Sequence, residues 1–116
     1  MPLTLRELCE QAHLEMLCGD GGRQVRCVYC CDLLSWAMSR APEDSAWVTV
    51  MGNVNTMAVC LLADCACVVL ADGARPDEQA LAKAQKQGLA ILASEEPIYE
   101  TARRIGSLIE AAPCAA

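Results

Sequence analysis

The feature that most constrains the fold is a run of six residues, 66–71, that is apolar at every position. A strand with one face in water would alternate apolar and polar side chains, so an unbroken apolar run indicates a strand covered on both faces. Such strands are typical of parallel sheets, because the helices that connect parallel strands lie against the faces of the sheet. We therefore expect this strand inside a layered α/β fold.

The segments around this run repeat one order of strand and helix. The predicted strands are residues 46–51, 66–71 and 89–93, and the predicted helices are residues 56–64, residues 77–87 and a last helix that Ser94 caps. Loops this short favour right-handed crossovers, which place successive strands side by side and parallel. The alternation predicts an α/β domain of three layers, α/β/α, with a mainly parallel sheet.

A helix, a strand and a second helix are predicted ahead of this repeat. The first helix begins with a capping box at Thr4, and its apolar stripe comprises Leu5, Leu8, Cys9 and Ala12. Residues 14–18 form a short apolar segment, and residues 25–31 have the composition of a strand. Asp32 has the side chain of an N-cap, so we expect a helix over residues 33–39.

The length and charge of the chain limit what it can be. With 116 residues, we expect one domain spanning residues 1–116. The net charge is −6, and the nine basic residues are scattered, with Arg103 and Arg104 forming the longest basic run. Surfaces that bind nucleic acids or anionic membranes need clustered positive charge. We therefore expect neither a nucleic acid nor a membrane among the partners.

The cysteines bear on the cellular compartment. They are nine, at positions 9, 18, 27, 30, 31, 60, 65, 67 and 114. The charged residues near the amino terminus do not fit a secretory signal, and the longest apolar run, residues 57–63, is too short to span a membrane. We therefore expect a cytoplasmic protein with reduced thiols, because the cytosol disfavours disulfides. Most thiols should be buried as small apolar side chains, with Cys114 as the exception.

A Cys-x-x-Cys spacing at Cys27 and Cys30 is the cysteine pattern that most suggests chemistry. In a thioredoxin-like site the first cysteine sits at a helix N-terminus, whereas these two lie inside a predicted strand. Together with Cys65 and Cys67 they match no standard spacing of metal ligands. We predict no metal and no cofactor, and a cysteine-based redox or metal-binding role is the least favoured hypothesis.

Motifs of catalysis are not found in the sequence. His13 is the single histidine, and it falls at the end of the first predicted helix, where a cation complements the helix dipole. A phosphate loop of the form G-x-x-x-x-G-K-[ST] is missing. We therefore predict that the chain is not an enzyme.

Polar residues and glycines follow the predicted strands, at the edge of the sheet where α/β folds bind ligands. The candidate ligand-binding residues are Asp32, Ser35, Gly52, Asn53, Asn55, Asp72, Gly73 and Ser94. Helix N-termini at this edge offer free N–H groups to a nucleotide or another anion. The alternative is structural, because Asp32, Asn55 and Ser94 belong to the residue types that ordinarily cap helices.

The predicted helix over residues 56–64 has almost no polar face. A helix that is apolar all round is either buried or covered by a partner. A homodimer would cover such a surface, and its candidate interface residues are Trp36, Met38, Met57 and Leu61. The alternative is that the terminal helices of the same chain cover this helix.

Four stretches of the sequence resemble one protein family. They are Asp32-Leu33-Leu34-Ser35 after a strand, Gly73 followed by Pro76, residues 88–94 with a glycine, an apolar strand and a serine, and Glu100-Thr101-Ala102. Together they resemble the DRTGG domain, which is related to the N-terminal domain of HPr kinase/phosphorylase. The name-giving D-R-T-G-G residues are not intact, and Gly52-Asn53-Val54 and Ala71-Asp72-Gly73 stand in the corresponding loops.

The resemblance implies a fold like that N-terminal domain and a regulatory role. DRTGG domains are accessory modules in larger proteins, including CBS-domain pyrophosphatases and phosphotransacetylase-like proteins, and they also occur alone. The kinase activity of HPr kinase belongs to a different domain. We therefore expect a non-enzymatic regulatory or interaction module that forms a homodimer and is accessory to a metabolic enzyme or pathway. The alternative is a sensor that binds a nucleotide or another anion at the strand-end loops.

Overall fold

The structure, a computed structural model, describes residues 3–110 of the chain. Its helices are α1 (Leu5–Ala12), α2 (Leu34–Arg40), α3 (Val54–Ala63), α4 (Glu78–Gln87) and α5 (Ile98–Ile109). Its strands are β1 (Leu3–Thr4), β2 (Glu15–Cys18), β3 (Gln24–Val25), β4 (Cys27–Cys30), β5 (Ser45–Thr49), β6 (Cys67–Leu70) and β7 (Ala90–Ala93). No helix within these residues has both the length and the apolarity to cross a membrane.

Five strands form the main sheet, in the order β2-β7-β6-β5-β4. The strands β4 to β7 are parallel, and β2 joins the edge antiparallel to β7. β6 is the middle strand, and all four of its residues are buried. The prediction of a mainly parallel sheet around this apolar strand is confirmed.

The helices lie on both faces of this sheet. The parallel strands follow their chain order across the sheet, so the right-handed crossovers through α2, α3 and α4 all fall on one face. Trp47 and Met57 belong to the apolar core on that face. α1 and α5 cover the other face, where Leu5 and Ile105 belong to a second core. The predicted three-layer α/β/α architecture is confirmed.

Side chains cap three of the helices at their N-termini. Thr4 forms the predicted capping box at α1. The Asn53 side chain accepts a hydrogen bond of 3.0 Å from the Thr56 N–H, so α3 begins at Val54, ahead of its predicted start. Asp77 caps α4, and Gly88 ends that helix with a φ of 73°, as its predicted position requires.

Two predicted caps are wrong. Asp32 does not cap α2, which follows Leu33 without a side-chain cap, because the Asp32 carboxylate is bound to residues of β5 and the loop after it. Ser94 does not cap α5, which begins at Ile98 after Pro97. In both cases the side chain predicted to cap a helix instead forms hydrogen bonds with other residues.

The strands ahead of α2 differ from the prediction. Residues 25–31, predicted as one strand, divide at Arg26: β3 pairs with β1 in a separate two-stranded antiparallel sheet, and β4 begins the main sheet. The Arg26 N–H donates a hydrogen bond of 2.9 Å to the Asp44 carbonyl oxygen. The apolar segment over residues 14–18 contains β2, whose pairing with β7 the sequence analysis did not predict.

α3 lies between α2 and α4 and packs against both. Met57 is 0% exposed, so the prediction that it faces outward at a dimer surface is wrong. Leu61 is half-buried, and Leu62 is the outward residue, at 72% exposed. The alternative that the terminal helices cover α3 is also wrong, because α1 and α5 pack on the opposite face.

The eight cysteines within residues 3–110 divide between the core and the surface. Cys27, Cys60, Cys65 and Cys67 are buried, Cys30 is exposed, and Cys9, Cys18 and Cys31 are intermediate. The prediction that most thiols are buried is therefore wrong for these eight. Seven of them, all except Cys27, are free thiols, which agrees with the expectation that most cysteines are reduced. Cys114 lies outside the described residues.

Candidate functional site

The four parallel strands end at one edge of the sheet, here called the carboxyl edge. The eight predicted ligand-binding residues follow these strands: Asp32 and Ser35 after β4, Gly52, Asn53 and Asn55 after β5, Asp72 and Gly73 after β6, and Ser94 after β7. Neighbouring strands lie about 4.8 Å apart, so these loops extend over roughly 14 Å from β4 to β7. The topology brings the residues to one edge as a row of loops.

The Asp32 carboxylate joins the ends of β4 and β5. One of its oxygens accepts a hydrogen bond of 2.6 Å from the Thr49 hydroxyl and another of 3.2 Å from the Val50 N–H. Ser35 lies in the first turn of α2 and is exposed. One Asp32 oxygen is therefore already engaged in holding two strand ends together.

Gly52 brings the loop after β5 against the loop that leads to α4. Its carbonyl oxygen accepts a hydrogen bond of 2.9 Å from the Asp77 N–H. A Cβ atom at Gly52 would lie 2.4 Å from the Arg75 carbonyl oxygen, so only glycine fits this approach. Asn53 is occupied as the N-cap of α3, and Asn55 is exposed in its first turn. Gly52 and Asn53 therefore have structural roles at their observed positions.

The loops after β6 and β7 leave the sheet toward opposite faces. Such a divergence opens a ligand crevice in doubly wound α/β sheets. Here backbone hydrogen bonds bridge the two loops, from the Asp72 N–H to the Glu96 carbonyl oxygen (2.7 Å) and from the Gly73 N–H to the Ser94 carbonyl oxygen (3.0 Å). The N–H groups that an anion would need at this point are therefore used within the protein.

Ser94 is buried in a hydroxyl network at the start of α5. Its Oγ lies 2.8 Å from Thr101 Oγ1 and accepts a hydrogen bond of 3.1 Å from the Glu96 N–H. Thr101 donates in turn to the Glu96 carbonyl oxygen. The network fixes the turn between β7 and α5 and leaves Ser94 closed to a ligand.

The charge at the carboxyl edge is mainly negative. Arg75 supplies positive charge there, but it is paired with Glu15 at 3.2 Å and Glu95 at 3.3 Å. Asp32 and Asp72 add exposed carboxylates. An anionic ligand would therefore have to compete for Arg75 and approach several like charges.

A cleft of about 310 Å³ lies at the opposite edge, here called the amino edge, where β6 and β7 begin. The carboxyl ends of α3 and α4 contribute to its lining, and so do Cys60 and Cys65. Arg23 lines it as well and pairs with Asp44 at 3.0 Å and Asp64 at 3.1 Å. Sequence reasoning missed this cleft because its residues come from segments far apart in the chain.

Large apolar side chains are exposed on two neighbouring helices. Leu33, Trp36 and Met38 at α2 are each about half exposed, and Leu62 on α3 is the most exposed of the four. We call these four residues the α2/α3 surface. The Arg40 guanidinium lies over the Trp36 ring, 3.9 Å from its centroid. Of the four predicted interface residues, Trp36 and Met38 are exposed, Leu61 is half-buried and Met57 is buried, whereas Leu62 is the exposed residue of α3.

Metal binding receives no support from residues 3–110. Within them, no group of three or more His, Cys, Asp or Glu side chains is close enough to hold a metal ion. His13 is exposed, and it ends α1 in the left-handed conformation with a φ of 58°.

Three comparisons place the chain among known proteins. The family model described as the DRTGG domain matches residues 7–108. No curated protein sequence matches the chain. Among solved structures, the chain is similar to the CBS and DRTGG domains of the regulatory region of Clostridium perfringens pyrophosphatase, complexed with the activator diadenosine tetraphosphate. The TM-score is 0.71 at 10% identity, over 95% of this chain and 47% of that one. The chain therefore spans about half the length of that structure.

Proposed function

Because the chain belongs to the DRTGG domain family, we propose that it is a cytoplasmic regulatory and interaction module without catalytic activity of its own. In this proposal it forms a homodimer and is accessory to a metabolic enzyme or pathway. The presence of a DRTGG domain in the regulatory region of a pyrophosphatase supports the accessory role.

The observation that carries the proposal is the α2/α3 surface. Burying a large apolar side chain stabilises a protein by roughly 1.5–3 kcal/mol relative to leaving it in water. Four such side chains are exposed on α2 and α3, two helices that pack together. A two-fold axis through this surface would cover the same residues on both protomers and leave no second copy of the surface open. Trp36 and Arg40 also belong to the residue types that dominate interface energies.

The proposed interface is therefore revised from the one that the sequence suggests. It keeps Trp36 and Met38 and adds Leu33 and Leu62. It omits Met57, which is buried inside the protomer, and Leu61, which is half-buried. α2 connects the edge strand β4 to β5, so the surface lies toward one side of the sheet.

Charged substitutions on this surface test the proposal. Trp36→Glu combined with Leu62→Glu should convert a dimer into a monomer, as measured by light scattering after size exclusion. The control is Tyr99→Glu, which places one of the two added charges at an exposed aromatic residue on α5, in the opposite layer. A dimer that survives the double substitution, or is lost in the control, would place the interface elsewhere.

A second candidate function is a nucleotide sensor, and the diadenosine tetraphosphate in the Clostridium perfringens structure favours it. Against it stand the engaged N–H groups and the acidic character of the carboxyl edge. Calorimetric titration with diadenosine tetraphosphate distinguishes the interaction module from the nucleotide sensor. We expect no saturable binding at micromolar concentrations of this ligand. Saturable binding that Arg75→Ala weakens would establish the sensor function instead.

A further inference from the structure

The amino-edge cleft is formed by segments that lie far apart in the chain. The loop between β2 and β3 contributes Asp20 and Arg23, the end of α3 contributes Asp64, and the end of α4 contributes Gln87 and Gly88. The volume of about 310 Å³ is at the lower end of the range of about 300–1,000 Å³ that is typical of small-molecule sites. The cleft therefore has the size required for a small metabolite.

The loop that forms one wall of the cleft is fixed by close backbone contacts. A Cβ atom at Gly19, whose φ is 109°, would lie 2.3 Å from the Ala90 Cα atom, so only glycine lets this loop approach the start of β7. In the same loop the Gly22 N–H donates a hydrogen bond of 2.9 Å to Asp20 Oδ1. The fold itself therefore holds the Asp20 carboxylate at the rim of the cleft.

Two helices end at the facing wall of the cleft. α3 and α4 pack together, and their last residues are followed by Asp64 and Gly88 in the left-handed conformation, with φ of 58° and 73°. The C-terminus of a helix carries a partial negative charge equivalent to about half an elementary charge. A Cβ atom at Gly88 would meet no atom of another segment within 4 Å, so the end of α4 borders open space. The two helix ends therefore make this wall electronegative.

The charged side chains at the rim act in the same direction. Arg23 lines the cleft, but it is bound to Asp44 at 3.0 Å, to the Asp64 carboxylate at 3.1 Å and to the Asp64 carbonyl oxygen at 2.9 Å. Arg26 also pairs with Asp44, at 3.3 Å. With Asp20 included, this group holds three carboxylates and two guanidinium groups. An anion would have to compete for Arg23, whereas a cation meets an excess of negative charge.

The carboxylates of Asp20 and Asp64 each keep one oxygen for a ligand. Asp20 uses Oδ1 to accept from the Gly22 N–H, and Asp64 uses Oδ1 in its pair with Arg23. Within residues 3–110, the Oδ2 atom of each has no hydrogen-bond or ion-pair partner. Both aspartates are exposed, so a ligand can reach them from solvent. An ammonium group suits them, because its three N–H donors form strong hydrogen bonds with carboxylates.

The floor of the cleft is apolar. Its residues are buried and are contributed by α1, α3, β7 and the segments that lead to β6 and β7: Leu5, Cys60, Cys65, Ala66, Leu89 and Ala90. Contact with the hydrocarbon part of a ligand would remove apolar surface from water on both sides. The rim and the floor together match a short hydrocarbon chain that carries a positive charge.

A metal ion is the other cation to consider. A metal site needs several ligands close together, and among the described residues no group of three or more His, Cys, Asp or Glu side chains meets this requirement. An organic ammonium group needs no such coordination, and its hydrocarbon chain gains from the apolar floor. The chemistry of the cleft therefore favours an organic cation over a metal ion.

We propose that the amino-edge cleft is a binding site for a small aliphatic amine. The ammonium group binds Asp20 and Asp64 at the rim, and the hydrocarbon chain lies on the apolar floor. This site is at the opposite edge of the sheet from the eight predicted ligand-binding residues, and its ligand has the opposite charge. None of the four residues of the α2/α3 surface lines the cleft, so a protein that stays monomeric would leave this proposal intact.

The test compares three molecules that share a chain of four carbon atoms: putrescine, butanediol and succinate, which at neutral pH are cationic, uncharged and anionic. Each is titrated into the full chain, and the backbone amide signals are followed by nuclear magnetic resonance. We expect putrescine to bind saturably at about millimolar concentration or below, with shifts centred on the amides of Gly22 and Gly88. Butanediol and succinate should give no saturable shifts. Succinate binding at these amides, or putrescine shifts that do not saturate or that spread over the acidic surface, would overturn the proposal.

Substitutions then locate the site. Asp20→Asn and Asp64→Asn each remove one carboxylate, and asparagine keeps an acceptor oxygen and tolerates the left-handed conformation. Each variant should bind putrescine about tenfold more weakly, because one hydrogen bond between charged groups is lost. Thermal denaturation checks that both are folded, and Asp20→Asn, in an exposed loop, keeps the test available if Asp64→Asn is unstable.

The matched control is Asp72→Asn. It removes the same charge from an exposed aspartate that is also left-handed, with a φ of 59°, but lies at the carboxyl edge. We expect it to bind putrescine with unchanged affinity. Unchanged binding in both Asp20→Asn and Asp64→Asn, or an equal loss in Asp72→Asn, would overturn the proposal.

Discussion

The Thr49 hydroxyl donates a hydrogen bond of 2.6 Å to the Asp32 carboxylate, and this contact joins the ends of β4 and β5. Asp32 opens the Asp32-Leu33-Leu34-Ser35 stretch that resembles the DRTGG family. In this chain its observed partners are the Thr49 side chain and the Val50 backbone. These two contacts give Asp32 a structural role at the end of β4.

Replacement of Asp32 by Ala should destabilise the fold. The buried Thr49 hydroxyl would lose its acceptor, and an unpaired buried donor costs about 1–3 kcal/mol. Chemical denaturation measures the free energy of unfolding, and Ser35→Ala, at an exposed position in α2, should change it by less than about 0.5 kcal/mol. If the Asp32 carboxylate acts through Thr49, then Asp32→Ala should cost clearly less in a Thr49→Val background. Equal costs in both backgrounds would contradict this role.

Replacement of Gly52 and of Gly106 by alanine should change the stability of the protein in opposite directions. A Cβ at Gly52 would lie 2.4 Å from a backbone oxygen that cannot move without the loop, so Gly52→Ala should cost about 1–3 kcal/mol. At Gly106, inside α5, the nearest atom is a Val28 methyl group at 3.6 Å, so alanine should stabilise by about 0.4–1 kcal/mol. Thermal denaturation of both variants checks this pair. A neutral Gly52→Ala would show that the two loops are not held together as described.

The stability of the protein should fall at alkaline pH in part because of Cys67. Burial raises the pKa of this fully buried thiol. Above the ordinary thiol pKa of about 8.5, the unfolded chain releases this proton while the folded chain keeps it, so stability is lost as pH rises. One such thiol lowers the free energy of unfolding by about 1.4 kcal/mol for each pH unit in this range.

Removal of the Cys67 thiol isolates this contribution. Cys67→Ala should flatten the alkaline slope of the unfolding free energy by that amount above about pH 9. Val69→Ala removes apolar volume from the same strand and the same core but no titrating proton, so it should lower stability without changing the slope. An identical slope in the two variants would contradict the prediction.

The fold was predictable because its signals are local. The unbroken apolar run at β6 requires cover on both faces, and Gly88 marks the end of α4 within the sequence itself. The pairing of β2 with β7 was not predictable in the same way, because its partner lies more than seventy residues further along the chain.

The candidate site was less predictable than the fold. Asp32 and Ser94 are of the residue types that cap helices, but Thr49 and Thr101 bind them in the folded chain. A helix that is apolar all round also carries no signal of its orientation, so Met57 could not be distinguished from Leu62 by sequence. The backbone hydrogen bond from the Cys65 N–H to the Cys60 carbonyl oxygen follows a left-handed Asp64, a conformation for which glycine is the usual indicator in a sequence.

The central claim is that this module pairs through the α2/α3 surface, and sedimentation equilibrium of the unmodified chain at micromolar concentration tests it most directly. A homodimer has twice the chain mass of 12.4 kDa, and we expect that value at the upper concentrations, with dissociation toward the single-chain mass on dilution. Trp36→Glu with Leu62→Glu should give the single-chain mass throughout, while retaining the helical content of the unmodified chain. A mass of 12.4 kDa for the unmodified chain across the whole micromolar range would contradict the account.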